Sequence, residues 1–78
     1  MKRIKVKENE NLFTAEQREA LIICHNKYFE AEMCDSYKIE EKEKAQALAK
    51  LKTVLPDVEM FIPDFSTCND TLIMRGDE

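Results

Sequence analysis

The chain has 78 residues, of which 44% are hydrophobic and 36% are charged, and its net charge is −4. A chain of this length buries only about 60 to 65% of its unfolded surface, so we expect one small domain over residues 1–78 with a single core. The apolar content excludes a disordered chain. The single glycine excludes the glycine-rich loops with which many nucleotide-binding proteins hold phosphate.

The charge is unevenly distributed along the chain. Lys2, Arg3, Lys5 and Lys7 place four positive charges in the first seven residues, whereas the rest of the chain has eight basic against sixteen acidic residues. Such an acidic body repels nucleic-acid phosphates unless its positive charge is segregated on one face. The sequence therefore disfavours nucleic acid as a partner.

The three cysteines are too few, and odd in number, for a disulfide scaffold, and the basic start is not followed by the apolar stretch of a secretory leader. The longest apolar run, "ALIIC" at residues 20–24, is far shorter than the ~20 residues of a membrane span. We expect a cytoplasmic protein with reduced thiols and no membrane segment.

The segment "RIKVK" at residues 3–7 predicts the first strand. Its apolar residues Ile4 and Val6 alternate with basic ones, as in a strand with one buried face. "ENEN" at residues 8–11 then ends the strand. The basic residues Arg3, Lys5 and Lys7 would form a row on the exposed face.

The pattern Thr14-x-x-Gln17 is a capping box and predicts a helix that begins at Ala15. At about 100° per residue, the apolar side chains of this helix fall on one broad face. We therefore expect it to be the most buried element of the fold. The predicted face consists of Ala15, Leu21, Ile22, Tyr28, Phe29 and Met33, widened by Ala20, Cys24 and Ala31.

Asp35 and Ser36 predict a break between two separate helices, because both favour turns and caps over helix interiors. The second helix is predicted from about Tyr37 to Leu55, since Pro56 drives the residue before it out of the α region. Its first half is polar nearly all round. Its second half carries an apolar stripe of Ala47, Leu48, Leu51, Val54 and Leu55.

The last third of the chain predicts a β-hairpin. "DVEMFIP" at residues 57–63 alternates like a strand with Val58, Met60 and Ile62 inward, residues 63–70 are rich in turn formers, and "TLIMR" at residues 71–75 forms the last strand. The order β-α-α-β-β predicts an α+β fold of two layers, a three-stranded antiparallel sheet packed against a helical hairpin. The order of the strands within the sheet stays open.

"IICHNKYFEAEMC" at residues 22–34 raises the possibility of a metal site. Zinc needs four converging ligands, usually with close cysteine pairs, but Cys24 and His25 point about 100° apart on a helix and Cys34 lies nearly three turns away. The spacing favours thiols that pack as small hydrophobic side chains and a histidine that forms a hydrogen bond at the edge of the apolar arc. We expect no metal ligands and no cofactor.

A catalytic pair of Cys68 and His25 is conceivable, since nucleophile and base need only be neighbours in space. Cations lower a thiol pKa, however, and Cys68 has Asp64 and Asp70 near it in the sequence instead. The carboxylates of "EEKEKA" at residues 40–45 are typical of a solvated helix face rather than of acid–base chemistry. We expect no catalytic residues and no enzymatic activity.

These exclusions favour a protein-binding module, an inhibitor or adaptor of the kind that phages and other mobile elements direct at host proteins. The exposed half of the second helix and the loop at residues 63–70 are its predicted surface, and an open sheet edge is a further candidate. Phe65 either plugs the core or anchors a partner, with the plug favoured. The predicted partner-binding residues are Glu40, Glu41, Glu43, Lys44, Asp64 and Phe65.

Two alternatives remain open. The first is a nucleic-acid-binding regulator resembling part of a winged helix and using the basic N-terminal strand, although Glu40, Glu41 and Glu43 would lie where a recognition helix meets phosphate. The second is a homo-oligomeric structural protein, such as a homodimer. It would form through sheet edges or through the wide apolar arc of the first helix.

Overall fold

The computed structural model describes residues 2–76. The chain forms a three-stranded antiparallel sheet and two packed helices in the order β-α-α-β-β, with a short 3-10 helix after the first strand. The predicted α+β class is confirmed, and the helices and the sheet share one core. The elements are β1 (Lys2–Lys5), the 3-10 helix (Lys7–Leu12), α1 (Ala15–Glu32), α2 (Tyr37–Val54), β2 (Val58–Ile62) and β3 (Thr71–Met74).

Both helices begin where the capping signals predict. The Thr14 hydroxyl accepts a hydrogen bond from the Gln17 backbone N–H at 3.1 Å, and the Gln17 side chain accepts one from the Thr14 N–H at 2.9 Å. Ser36 caps α2 by accepting from the Ile39 N–H, so the helices are separate, as predicted. None of the helices within residues 2–76 is long and apolar enough to cross a membrane.

The buried face of α1 differs from the predicted one. Ile22, Phe29 and Met33, expected in the core, are exposed, because the apolar arc of this helix is wider than the surface that α2 and the sheet cover. The most buried element is β3 rather than α1, since β3 is paired along both edges and has no exposed residue. The buried residues of α1 are Leu21, Cys24, Tyr28 and Ala31.

The first strand is shorter than predicted and ends at Lys5. Its partner β3 begins at Thr71. The Val6 N–H still donates to the Asp70 carbonyl at 2.9 Å, but after Val6 there is no strand for the chain to pair with. The chain turns into the 3-10 helix instead. Lys7 therefore leaves the predicted basic row.

Strand β2 contains a β-bulge that reverses the predicted alternation. The register against β3 shifts between Val58 and Met60, which makes Glu59 an extra residue. An extra residue moves every later side chain to the opposite face of the sheet. Phe61 is therefore buried, whereas Met60 and Ile62, predicted to face inward, are exposed.

Both edges of the sheet are protected against pairing with another strand. β1 is only four residues long and has lysine at each end, and β2 carries the bulge. Short length, lysine and bulges each oppose pairing between edges. The sheet edge is thus a poorer docking surface than the sequence suggests.

Candidate functional site

The loop at residues 63–70 is organised around the carboxylate of Asp64. One oxygen of this side chain accepts hydrogen bonds from the hydroxyl and N–H of Ser66, at 2.8 and 3.1 Å, and from the N–H of Thr67 at 3.3 Å. Hydrogen bonds from Ser66 and then Thr67 stabilise the charged form and lower the pKa of Asp64 to about 2. The Asp64 carbonyl also accepts from the Cys68 N–H at 2.8 Å, so this residue fixes the whole turn.

A buried histidine–aspartate pair joins this loop to α1. The Nδ1–H of His25 donates to both carboxylate oxygens of Asp70, at 2.9 and 3.0 Å, and the Asp64 N–H donates to the same carboxylate at 2.9 Å. The side chains of His25 and Asp70 are only 15% and 7% exposed. The predicted hydrogen-bonding role of His25 is confirmed, and its partner lies 45 residues away in the sequence.

Phe65 packs against α1 from the same loop. Its ring stands edge-on to the rings of His25 and Phe29, with centroids 5.1 and 5.3 Å apart. The side chain is half-buried at the edge of the core. Phe65 therefore acts as a plug, while its exposed part stays available to a partner.

A cleft of about 540 Å³ lies between α1, the 3-10 helix and this loop. Leu21 contributes to its apolar wall, and Arg18, His25 and Cys68 are among its polar lining residues. No local pattern in the sequence predicts that Cys68 and His25 are neighbours. The structure places both on this cleft.

Three large apolar side chains form a line on the solvent side of α1. Ile22, Phe29 and Met33 are 62%, 48% and 72% exposed, and their spacing of seven and four residues puts them on one face of the helix. We call these three residues the outer stripe, and Phe65 extends it by its contact with Phe29. The sequence predicts these three residues in the core and offers the apolar arc of this helix as a surface only for self-association.

The predicted residues of α2 form local charge pairs. Lys44 Nζ lies 3.0 Å from a Glu40 carboxylate oxygen and 3.6 Å from one of Glu32 on α1, and these contacts raise the pKa of Lys44, with the Glu40 hydrogen bond as the largest cause. Glu41 accepts a hydrogen bond from the Tyr37 hydroxyl at 2.8 Å. Only the Lys44–Glu32 contact joins the two helices, and the other two contacts lie within α2.

The predicted binding residues fall into two groups that contact different sides of α1. Glu43 of α2 lines a groove together with Lys27 of α1, whereas Phe65 of the loop packs on Phe29. Lys27 and Phe29 point about 160° apart around the helix. No single flat partner surface along α1 can therefore cover both groups.

Burial keeps two titratable side chains of the core in their neutral form. Burial, and secondarily the charge of Asp70, raise the pKa of the Cys24 thiol to about 12, which keeps it protonated and unreactive. Burial likewise raises the pKa of Tyr28 to about 12. Across residues 2–76, no three side chains of histidine, cysteine, aspartate or glutamate converge as ligands for a metal ion.

The exposed face of the sheet carries only part of the predicted basic row. Arg3 is paired with Ile73 and Lys5 with Thr71, while Lys7 bonds through Nζ to the Thr67 carbonyl at 3.0 Å. The basic row on which the winged-helix alternative draws is thus reduced from three residues to Arg3 and Lys5.

No protein-family model, curated protein or solved structure matches the chain.

Proposed function

We propose that the protein is a protein-binding module, acting as an inhibitor or adaptor, and that it binds its partner through the outer stripe of α1 with Phe65 at one side. The observation that carries this proposal is the alignment of three large, exposed apolar side chains along one helix face. Single exposed apolar residues are ordinary on protein surfaces, whereas several large ones aligned on one helix face are typical of an interaction site.

The geometry favours an amphipathic helix of the partner as the occupant. From Ile22 to Met33 the outer stripe extends about 16 Å along α1, at 1.5 Å per residue. A helix laid beside it could pack anchors of matching spacing against all three side chains. The adjoining cleft, which shares Ile22 with the outer stripe, offers a hollow for one larger side chain.

Burial of the outer stripe alone would give a partner only a modest affinity for this protein. Burying a whole large apolar side chain contributes about 1.5 to 3 kcal/mol, and these side chains are already partly buried, so three of them contribute roughly 3 to 5 kcal/mol. Association costs at least about 4 kcal/mol in lost freedom of motion. Tight binding therefore also requires Phe65 and the cleft.

The decisive experiment is affinity capture from a host lysate with tagged protein and an Ile22→Ser/Met33→Ser variant. Its matched control is a Leu12→Ser/Met60→Ser variant, which removes two apolar side chains that are 62% and 54% exposed and lie outside the outer stripe. We expect a stoichiometric protein partner that is lost with the first variant and retained with the second. Capture of nucleic acid alone, of no protein, or of a partner that both variants retain contradicts the proposal.

The acidic group on α2 is tested in the same assay. A Glu40→Lys/Glu41→Lys variant that retains the partner removes α2 from the interface, and one that loses it adds the predicted α2 residues to the interface.

Light scattering at high micromolar concentration identifies the other possible occupant. A dimer that the Ile22→Ser/Met33→Ser variant dissociates would make the occupant a second copy of the chain.

A further inference from the structure

One face of the sheet is open. Val58, Phe61 and Leu72 place the other face in the core, whereas Met60 and Ile62 are 54% and 41% exposed. Paired residues on neighbouring strands share a face of the sheet, so the registers of β1 and β2 against β3 identify the residues of the open face. We call it the outer sheet face, and it consists of Arg3 and Lys5 on β1, Thr71 and Ile73 on β3, and Met60 and Ile62 on β2.

The outer sheet face is made of two rows that cross the strands with the same arrangement. The rows are Arg3, Ile73 and Met60, and Lys5, Thr71 and Ile62. Because β3 lies between β1 and β2, each row begins with a cation and ends with a large exposed apolar side chain. The outer sheet face is therefore basic along one side and apolar along the other.

The cations of this face are available to a ligand. Arg3 and Lys5 are exposed, and no carboxylate within residues 2–76 forms a salt bridge with either. The Glu59 carboxylate beside the bulge lies 3.7 Å from Arg75 Nε, so these two residues together add no net charge. The outer sheet face is thus positive on a chain whose net charge is −4.

We propose that the outer sheet face binds an acidic amphipathic helix of a second protein, separate from the partner of the outer stripe. Neighbouring strands lie about 4.8 Å apart, so β1 and β2 are separated by about 10 Å, roughly the diameter of a helix. A helix that lies along β3 places one flank over the cations of β1 and the other over the apolar side chains of β2.

The spacing along the strand fits the same ligand. Arg3 and Lys5 are about 7 Å apart along β1, and acidic residues at positions i and i+4 of a helix are about 6 Å apart along its axis. Two carboxylates on one flank can therefore meet both cations. A second binding face, turned away from the helical layer, makes the protein an adaptor between two proteins rather than a simple inhibitor.

Nucleic acid and anionic membranes fit the outer sheet face less well. Sheets that bind single strands stack bases on aromatic side chains, and this face has none. Attraction to anionic lipid takes clusters of about four to eight basic residues, and this face has two. The apolar side chains of β2 are used only by a ligand that is itself amphipathic.

The first probe is a synthetic helical peptide of about 18 residues, or five turns, with leucine on one flank and glutamate on the other. Its control carries lysine in place of each glutamate. In an NMR titration at low salt we expect the glutamate peptide to shift the backbone amides of the three strands and to bind at least about tenfold more tightly, because two exposed ion pairs replace two repulsions. Equal affinities, or no shifts in the strands, would overturn the proposal.

Charge reversal on β1 tests the orientation of the ligand. Arg3→Glu/Lys5→Glu should reverse the preference, so that the lysine peptide binds more tightly. The matched control Lys38→Glu/Lys42→Glu makes the same change in net charge at exposed positions of α2 and should keep the original preference. A control that also reverses it would show that net charge alone directs binding. If circular dichroism shows that the reversed variant does not fold, Arg3→Gln/Lys5→Gln replaces it and should abolish the preference.

Two further variants separate this face from the outer stripe. Met60→Thr/Ile62→Thr should weaken both peptides while the preference for glutamate remains. Ile22→Ser/Met33→Ser should leave the shifts in the strands unchanged. Loss of these shifts in the second variant would assign the peptide to the outer stripe and refute the present proposal without touching the proposed function.

Oligothymidylate and phosphatidylserine vesicles test the other classes of ligand. At the same salt concentration we expect both to bind more weakly than the glutamate peptide. Tighter binding of either one that is lost in Arg3→Glu/Lys5→Glu would make nucleic acid or lipid the ligand and overturn the assignment to an acidic helix.

Discussion

Asp70 is the residue on which the position of the 63–70 loop depends. Its carboxylate is buried and accepts hydrogen bonds from His25 and from the Asp64 N–H. Asp70→Ala leaves both donors without their acceptor, so we expect the free energy of unfolding to fall by about 2 to 3 kcal/mol. Urea denaturation measures this difference.

The matched control for that substitution is Asp35→Ala. Asp35 is an exposed carboxylate in the turn between the helices, and surface substitutions usually change stability by less than about 0.5 kcal/mol. If both variants lose the same stability, the hydrogen bonds of Asp70 do not hold the loop on α1.

Asp64 makes the stability of the loop depend on pH in the acid range. Its pKa is about 2, below the ordinary value of 3.8, so the charged form is favoured by folding. The resulting stabilisation is fully present above pH 3.8 and is lost as the pH falls through about 2. A carbon NMR titration of the Asp64 carboxyl should show this low midpoint.

Ser66→Ala should raise the Asp64 midpoint toward its ordinary value, because it removes the hydroxyl that is the largest cause of the shift. Ser36→Ala, which removes a hydroxyl elsewhere in the chain, should leave it unchanged. A midpoint near 3.8 in the unsubstituted protein would show that the turn does not form as described.

The sequence could not predict these loop contacts. Turn formers at residues 63–70 are a local signal and correctly indicated a loop. The bond between His25 and Asp70 depends on how the hairpin is placed against α1, and nothing in either neighbourhood specifies that distance. The sequence places Asp64 and Asp70 near Cys68, but it does not indicate that both carboxylates accept hydrogen bonds.

Of the helices and strands, β2 allows the most direct test of the structure. The bulge at Glu59 places Phe61 in the core, with its ring 5.0 Å from that of Tyr28, and leaves Met60 exposed. Phe61→Ala should cost about 3 to 5 kcal/mol, whereas Met60→Ala should change stability by less than about 0.5 kcal/mol. Thermal or urea unfolding that gave the reverse order would restore the regular alternation that the sequence predicts.

Element bounds were easier to predict than element faces. Helix starts follow from caps such as Thr14 and Ser36, whose hydrogen bonds close within three residues. The outward face of α1 and the bulge of β2 depend on what the rest of the fold can cover, and a wide apolar arc or an alternating strand is compatible with either outcome. For this reason the sequence predicts Ile22, Phe29, Met33 and Met60 in the core, although all four are exposed.

At the scale of the whole molecule, one shared core implies one cooperative unit. Leu21, Leu51, Val58 and Leu72 come from four different elements and meet in the same buried cluster. Far-ultraviolet circular dichroism, which follows the helices, and the near-ultraviolet signal of the buried Tyr28 should therefore give coincident unfolding curves. Leu72→Ala should lower the free energy of unfolding by about 2 to 5 kcal/mol, by the same amount for both signals.

Separate transitions for the two probes would show that the helical hairpin is stable without the sheet, and the single-domain prediction would then be wrong. Exposed Leu12→Ala is the control that should leave both curves in place.

The element order was enough to predict the α+β class, but it left open which strand is central, because β-α-α-β-β is compatible with more than one strand order.

The strand order has a consequence for how the protein is made. β3 is the central strand and follows the other two in the chain, and β1 and β2 pair only with it. On the ribosome the helical hairpin can form early, but no part of the sheet can assemble until residues 71–74 have left the exit tunnel. Until then β1 and β2 both lack their only pairing partner, and the nascent chain exposes unpaired strands to chaperones and proteases.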